Sequence, residues 1–183
     1  KNILILGDHG TNIYKYLKKR FKNSLITICD FEEKNSNIFR FYDFKIISSD
    51  LDTWLDDNKK YDLILSNFFL NLSNNYEKIF QKIHNSLLSN GFFLASLPSP
   101  NNFLSLKNAM LKTDIYFYGG AYQRFNKTIN LENIVEELKK NNFKIPLVNF
   151  EKIELEYKNF EQLLFDIRSM KLSYYYKDKK KTF

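Results

Sequence analysis

"NILILGDHGTN", residues 2–12, is an apolar run that stops at a glycine. Ile3 to Leu6 leave no polar face, as expected of a parallel strand covered on both sides. Gly7-Asp8-His9-Gly10 then supplies a turn, and residues 11–21 carry helical spacing. Strand, glycine turn and helix in that order are how a nucleotide-binding βα unit begins.

The pattern repeats downstream. "SLITICD" (24–30), "FKIISSD" (44–50), "YDLILSNF" (61–68) and "GFFLASL" (91–97) are further strand candidates. Between the last two, Tyr76, Ile79, Phe80, Ile83, Leu87 and Leu88 recur at three- and four-residue intervals. That spacing predicts a helix over 75–89 with Gly91 as its stop. A shorter helix is expected over 53–57, around Trp54. Strands alternating with helices imply right-handed crossovers and a parallel sheet.

After Pro98 and Pro100 the pattern changes. Residues 103–113 read as an outlying helix, "YGGAYQRF" as a loop and "NLENIVEELKKNNF" as an amphipathic helix. "KIPLVNFEKIELEYK" offers two strand-like runs that would pair antiparallel, and "NFEQLLFDIRSMKL" closes as a helix. The expected fold is α/β, Rossmann-like and doubly wound, with a mostly parallel seven-stranded sheet and an antiparallel C-terminal edge hairpin. Residues 1–183 form one domain, and 98–128 make a lid or acceptor-side insertion. A strand starting at residue 2 with no Met before it leads us to expect a further N-terminal segment upstream.

Composition narrows the function. The 183 residues, 44% hydrophobic and 27% charged, describe an ordinary globular domain. No run approaches the ~18–20 apolar residues of a membrane span. One cysteine, Cys29, leaves no internal disulfide and no cysteine zinc site; two histidines leave no His-rich metal site. A net charge of +7 comes from Lys far more than Arg, alongside abundant Asn, Ile, Phe and Tyr. That is the signature of AT-rich coding, so nucleic acid is a weak partner candidate. Four Lys against one Asp in "YKDKKKTF" mark a solvated terminus.

The chemistry-bearing residues fall where strands end. In an open α/β sheet, ligands bind at the carboxyl ends of strands where the order reverses. Strand one ends at Gly7. Strand two ends at Asp30, about 20 residues on, where such folds place a ribose-binding carboxylate. Strand three ends at Asp50, suited to accept from an exocyclic amine, and strand four at Ser66-Asn67. Singly, each Asp is better read as a turn former or helix cap. Together, beside a glycine turn, they suit an S-adenosylmethionine pocket of ribose carboxylate, adenine acceptor and close backbone approach.

"ILILGDHGTNIYKYL", "ICDFEE", "SDLDTW…YDLILSNFFLNLSNN", "IFQKIHNSLLSNGFFLASL" and the later "YGG" resemble class I S-adenosylmethionine-dependent methyltransferases of type 11. The nearest likeness is to complex I assembly factor 5 and its bacterial relatives, with the malonyl-carrier-protein O-methyltransferase of biotin synthesis close by. The likeness runs from residue 2 to about 175, and Gly119-Gly120 and "YKNFEQLLFDIRSM" carry its discriminating part. Asp166, Ile167, Met170 and Ser173 survive there. Departures are plain: the second and third glycines of the turn fall on His9 and Thr11. The family's His-Trp after strand four is Asn71-Leu72.

The resemblance implies a transferase using S-adenosylmethionine, with S-adenosylhomocysteine as product. Gly7, Asp8, His9, Gly10, Asp30, Phe31, Asp50, Leu51, Ser66 and Asn67 would bind the cofactor. Asn71, Tyr122 and Arg124 would face the substrate. No metal and no catalytic base are assigned. The implied substrate is a protein, an arginine of a respiratory complex I subunit, modified by methylation or hydroxylation. The alternatives are a carboxyl O-methyltransferase acting on a carrier protein, and a cofactor-free assembly scaffold. The implied location is cytoplasmic, or the mitochondrial matrix for a eukaryotic source.

Other residues invite less. His84 has no Ser, Cys or carboxylate partner at helical spacing and reads as a boundary histidine. Cys29 reads as a small buried apolar residue. Tyr116, Phe117, Tyr118, Tyr122 and Phe125 either pack as core under a loop or form the lid over the crevice.

Overall fold

The computed structural model describes residues 1–7, 12–29, 45–47, 59–73, 75–126 and 128–169. Five strands, β1 (Asn2–Leu6), β2 (Leu25–Cys29), β3 (Lys45–Ile47), β4 (Tyr61–Asn67) and β5 (Leu87–Ser96), form one sheet. Their order is β3-β2-β1-β4-β5, and every neighbouring pair is parallel. The helices are α1 (Asn12–Arg20), α2 (Tyr76–Ser86), α3 (Leu104–Tyr118), α4 (Leu131–Lys140) and α5 (Phe160–Ser169). None of the described helices is long and apolar enough to cross a membrane.

The continuous apolar runs are explained by two separate cores. Alternate residues of a strand face opposite sides. Ile3 and Ile5 of β1 join Ile26 and Ile28 beneath Tyr14 and Leu17 of α1. Leu4 and Leu6 face the other way, with Ile64, against Ile79, Phe80 and Ile83 of α2 and Leu138 of α4. These four aliphatic residues of β1 are 0–1% exposed, and each buried aliphatic contributes about 1.5–3 kcal/mol. Phe80 anchors the second core, its ring edge-on to Phe93 and Phe143 at 6.2 and 6.4 Å. His84 packs edge-on to Phe143 at 5.3 Å, on the rim of that core. Cys29 is fully buried.

Three expectations are corrected. Five strands are described, and the two runs expected to add an antiparallel edge hairpin form no strand among the described residues. Residues 144–158 contain no strand and hold Ile145, Leu147, Ile153 and Leu155 55–92% exposed. Ile145 adopts a left-handed φ of 52° and is followed by Pro146, which has no N–H to give a ladder. The boundary between α2 and β5 falls at Ser86/Leu87 rather than near 89–91, because Leu87 pairs with Tyr61 ahead of a register shift. Helix α3 runs five residues past 113, to the left-handed Gly119 (φ 68°), whose N–H donates to the Ile115 carbonyl. This is a glycine C-cap. The expected helix at 53–57 and the basic tail lie outside the described residues.

Candidate functional site

The connection from β1 to β2 leads one way along the sheet, and β4 and β5 are added on the other side of β1. The order therefore reverses between β1 and β4, and the crevice above their carboxyl ends is where such sheets bind ligands. Leu6 pairs with Cys29 on one side and Ser66 on the other. That register puts Gly7, the end of β2 and Ser66-Asn67 on one rim.

Gly7 donates its N–H to the Cys29 carbonyl at 3.0 Å and turns with φ 75°. Its missing side chain is already accounted for. A Cβ there would meet Phe69 Cδ2 at 2.8 Å, Phe69 Cβ at 2.9 Å and the Asn67 carbonyl at 3.0 Å. The glycine thus serves the turn and the seat of Phe69 before it serves any ligand.

The end of β4 is held differently. Asn67 Oδ1 accepts from Ser96 Oγ at 2.7 Å, and Phe68, at φ 47°, donates its N–H to the Ser96 carbonyl at 3.2 Å. These two bonds tie the tips of β4 and β5. Ser66 is 4% exposed, yet its hydroxyl has no hydrogen-bond partner. Leaving such a group unmade is costly, so it is available to a ligand or ordered water at the rim. Asp8, His9, Gly10, Asp30, Phe31, Asp50 and Leu51 lie outside the described residues.

A 3-10 turn, Leu70–Leu72, follows Phe69. It carries Asn71 inward: the residue is 2% exposed and its Oδ1 has no partner. Asn71 forms part of a small pocket with Pro98, Asn102, Phe103, Lys107 and Phe125. Lys107 Nζ donates to the Pro100 carbonyl at 2.9 Å and lies 5.2 Å from the Phe125 ring centre. Burial pushes its ammonium below the usual lysine range.

Tyr122 and Arg124 lie on the loop that follows α3 and are tied back to that helix. Asp114, 2% exposed and the one fully buried residue of α3, receives Arg124 Nε at 3.1 Å, Arg124 Nη2, and the Tyr122 N–H at 3.3 Å. The bond from Arg124 holds the carboxyl below the usual carboxylate range, and the backbone N–H of Tyr122 adds to it against desolvation. The loop after Gly119-Gly120 is thereby clamped back on its own helix, with the guanidinium committed to Asp114. The aromatic residues here are not core: Tyr116, Phe117, Tyr118 and Tyr122 are 53–82% exposed, with Tyr116–Phe117 and Tyr118–Tyr122 edge-on and Phe117–Tyr118 tilted. Sequence reasoning missed Asp114, Phe103 and Lys107. The available signal was that Asp114 is the sole charge between Lys112 and Arg124.

No protein-family profile matches the chain. The solved structure of an S-adenosylmethionine-dependent methyltransferase from Mesorhizobium loti superposes with a TM-score of 0.60 at 16% identity. That superposition covers 92% of this chain and 83% of that one. The chain has the S-adenosylmethionine-dependent methyltransferase fold. A second such enzyme, from Clostridium acetobutylicum ATCC 824, gives 0.57 at 16% identity over 76% and 72% of the two chains. The plantazolicin methyltransferase BpumL, solved with SAH, gives 0.55 at 15% over 77% and 55%. In sequence, the chain is distantly homologous to a protein named arginine-hydroxylase NDUFAF5, mitochondrial, of Dictyostelium discoideum. Identity is 30% over 128 residues, 69% of this chain but 29% of the relative. The chain thus spans under a third of that relative's length.

Proposed function

We propose that the chain binds S-adenosylmethionine at the β1/β4 crevice and modifies an arginine side chain of a protein, a subunit of respiratory complex I being the proposed partner. The observation that carries the reading is the order reversal between β1 and β4, with Gly7 on one side of it and the unpaired Ser66 hydroxyl on the other. The residues fit the cofactor: a left-handed turn, an unclaimed buried hydroxyl and a strand end at Cys29 leading directly into Asp30. Gly7, Asp30, Asp50, Ser66 and Asn67 would hold it, with Asp8, His9, Gly10, Phe31 and Leu51 around them. When bound, it supplies an activated methyl group on a sulfonium. The protein's own work is then positioning and exclusion of water. Residues 98–128, with Tyr122 and Arg124, form the acceptor side in this reading, within a single domain of 1–183. The relative's name motivates the arginine and a mitochondrial setting.

A second reading, a cofactor-free scaffold, draws on Gly7 itself: Phe69 and Asn67 require that glycine with no ligand present. Calorimetric titration with S-adenosylhomocysteine separates the two. Binding that Asp30→Ala weakens by at least tenfold supports the transferase. No binding to the wild type leaves the scaffold.

A further inference from the structure

The pocket at Asn71 has a mixed polarity that narrows what it can take. Its floor is an acceptor, the buried Asn71 Oδ1 without a partner. Its wall is electropositive. Lys107 contributes an ammonium, which has three donor hydrogens and gives one to Pro100. Helix α3 begins at the same wall, and its N-cap, Phe103, provides no side-chain acceptor for the first-turn amides. Phe103 also holds a left-handed φ of 54°, an uncommon conformation for a bulky residue and one that collects at ligand clamps. None of the lining residues is acidic.

Each simple ligand class can be tried against that pattern. A guanidinium would satisfy Asn71 but set a second cation against Lys107 and the start of α3. A carboxylate would suit the wall but bring an oxygen against Oδ1. A carboxamide satisfies both, its N–H donating to Asn71 and its carbonyl accepting from the wall. The open space is about 10 Å3, room for one water-sized group, so the amide nitrogen enters and the carbonyl stays at the mouth.

We propose that this pocket is a substrate subsite that holds a carboxamide, a main-chain or side-chain amide of the protein being modified, with Asn71 as the positioning residue. The proposal rests on the protein-substrate reading given above. Asn71 and Pro98 lie on the segments that leave β4 and β5, so the pocket is built from the loops that follow those two strands. The subsite would fix the flanking chain of the substrate rather than the group that reacts.

The test is a set of amide chemical-shift titrations on the full chain with acetamide, acetate, guanidinium and methanol, each with and without S-adenosylhomocysteine. Acetamide is expected to be the tightest of the four and to move the Phe103, Lys107 and Phe125 signals. Asn71→Leu, of similar volume, is expected to weaken acetamide at least tenfold while keeping the melting temperature; Asn71→Ser serves if the leucine variant does not fold. Preference for acetate, guanidinium or methanol overturns the proposal. So does acetamide binding that survives loss of Asn71, and so does the absence of any shift, which would leave the pocket to a single water. Failure of S-adenosylhomocysteine to bind strikes the proposed function instead and is read from separate signals.

Discussion

A Cβ on Gly7 would stand 2.8 Å from Cδ2 of Phe69, two chain segments apart in sequence but in contact at the end of the sheet. Phe69 is fully buried, so its ring has no solvent to retreat into. Gly7→Ala is therefore expected to destabilise the fold itself, by about 2–4 kcal/mol from left-handed strain and overpacking together. Urea unfolding measures this, and Gly7→Ala with Phe69→Leu should recover part of the loss through their coupling. A Gly7→Ala protein as stable as wild type would show that Phe69 yields.

The Asp114–Arg124 pair sets the pH range over which the 119–126 loop stays clamped. Asp114's carboxyl lies below the usual range in the folded state, chiefly through its bond from Arg124. A depressed folded value means the clamp is fully present above the ordinary carboxylate range. It is lost only as pH falls through the lowered value. The protection of the Tyr122 amide, its exchange rate relative to the unstructured rate at the same pH, should hold in mildly acidic solution and drop in stronger acid. Asp114→Asn should lack that protection throughout, and equal protection in the two proteins would refute the clamp.

Tyr76 presents the opposite sign. Its hydroxyl is buried without a partner, and desolvation pushes its pKa up to about 12. The neutral form is favoured in the fold, so the group costs nothing in alkali until the unfolded chain ionises near pH 10. Stability should then fall between about pH 10 and 12, at ~1.4 kcal/mol per unit. Tyr76→Phe should remove that fall and add about 1 kcal/mol at neutral pH by deleting an unmade hydrogen bond. Thermal melts across the alkaline range decide it.

Helix α4 starts on Asn130, whose side chain accepts from the Asn133 N–H at 2.8 Å. Asn130→Ala should cost about 1 kcal/mol, because an orphan first-turn amide loses its cap. Chemical denaturation of the variant is the check. An unchanged midpoint would mean water replaces the cap without loss.

The strands β1, β2 and β4 are legible because each is a mostly apolar run with few exposed positions, buried or half-buried on both faces. The start of β5 is not. Leu87 and Leu88 fit a helical spacing as well as a strand, and the choice is made by pairing with Tyr61, a contact 26 positions away. The apolar runs of 144–158 predict an edge hairpin that Ile145-Pro146 breaks, where one residue turns left-handed and the next lacks a donor. The Gly7 and Ser66-Asn67 ends follow from the strand order and were placed on one rim as expected. In the sequence Arg124 reads as free for a substrate, because its partner, Asp114, lies ten residues back across a loop. No periodicity links the two.

The position of β1 at the centre of the sheet also governs the order in which the fold can be built. Its second partner, β4, lies 60 residues downstream, since Ile3 pairs with Leu63. At synthesis rates of 5–20 residues per second, β1 waits roughly 3–12 s before that edge can be satisfied. Closing so long a loop is entropically slow, and parallel pairing gives no early hairpin to nucleate from. Until Tyr61–Asn67 arrives, Ile3 to Leu6 are an apolar strand with one bare edge, the kind of segment that pairs with a neighbouring chain. A nascent chain stopped before residue 61 is therefore the form of this protein most in need of a chaperone.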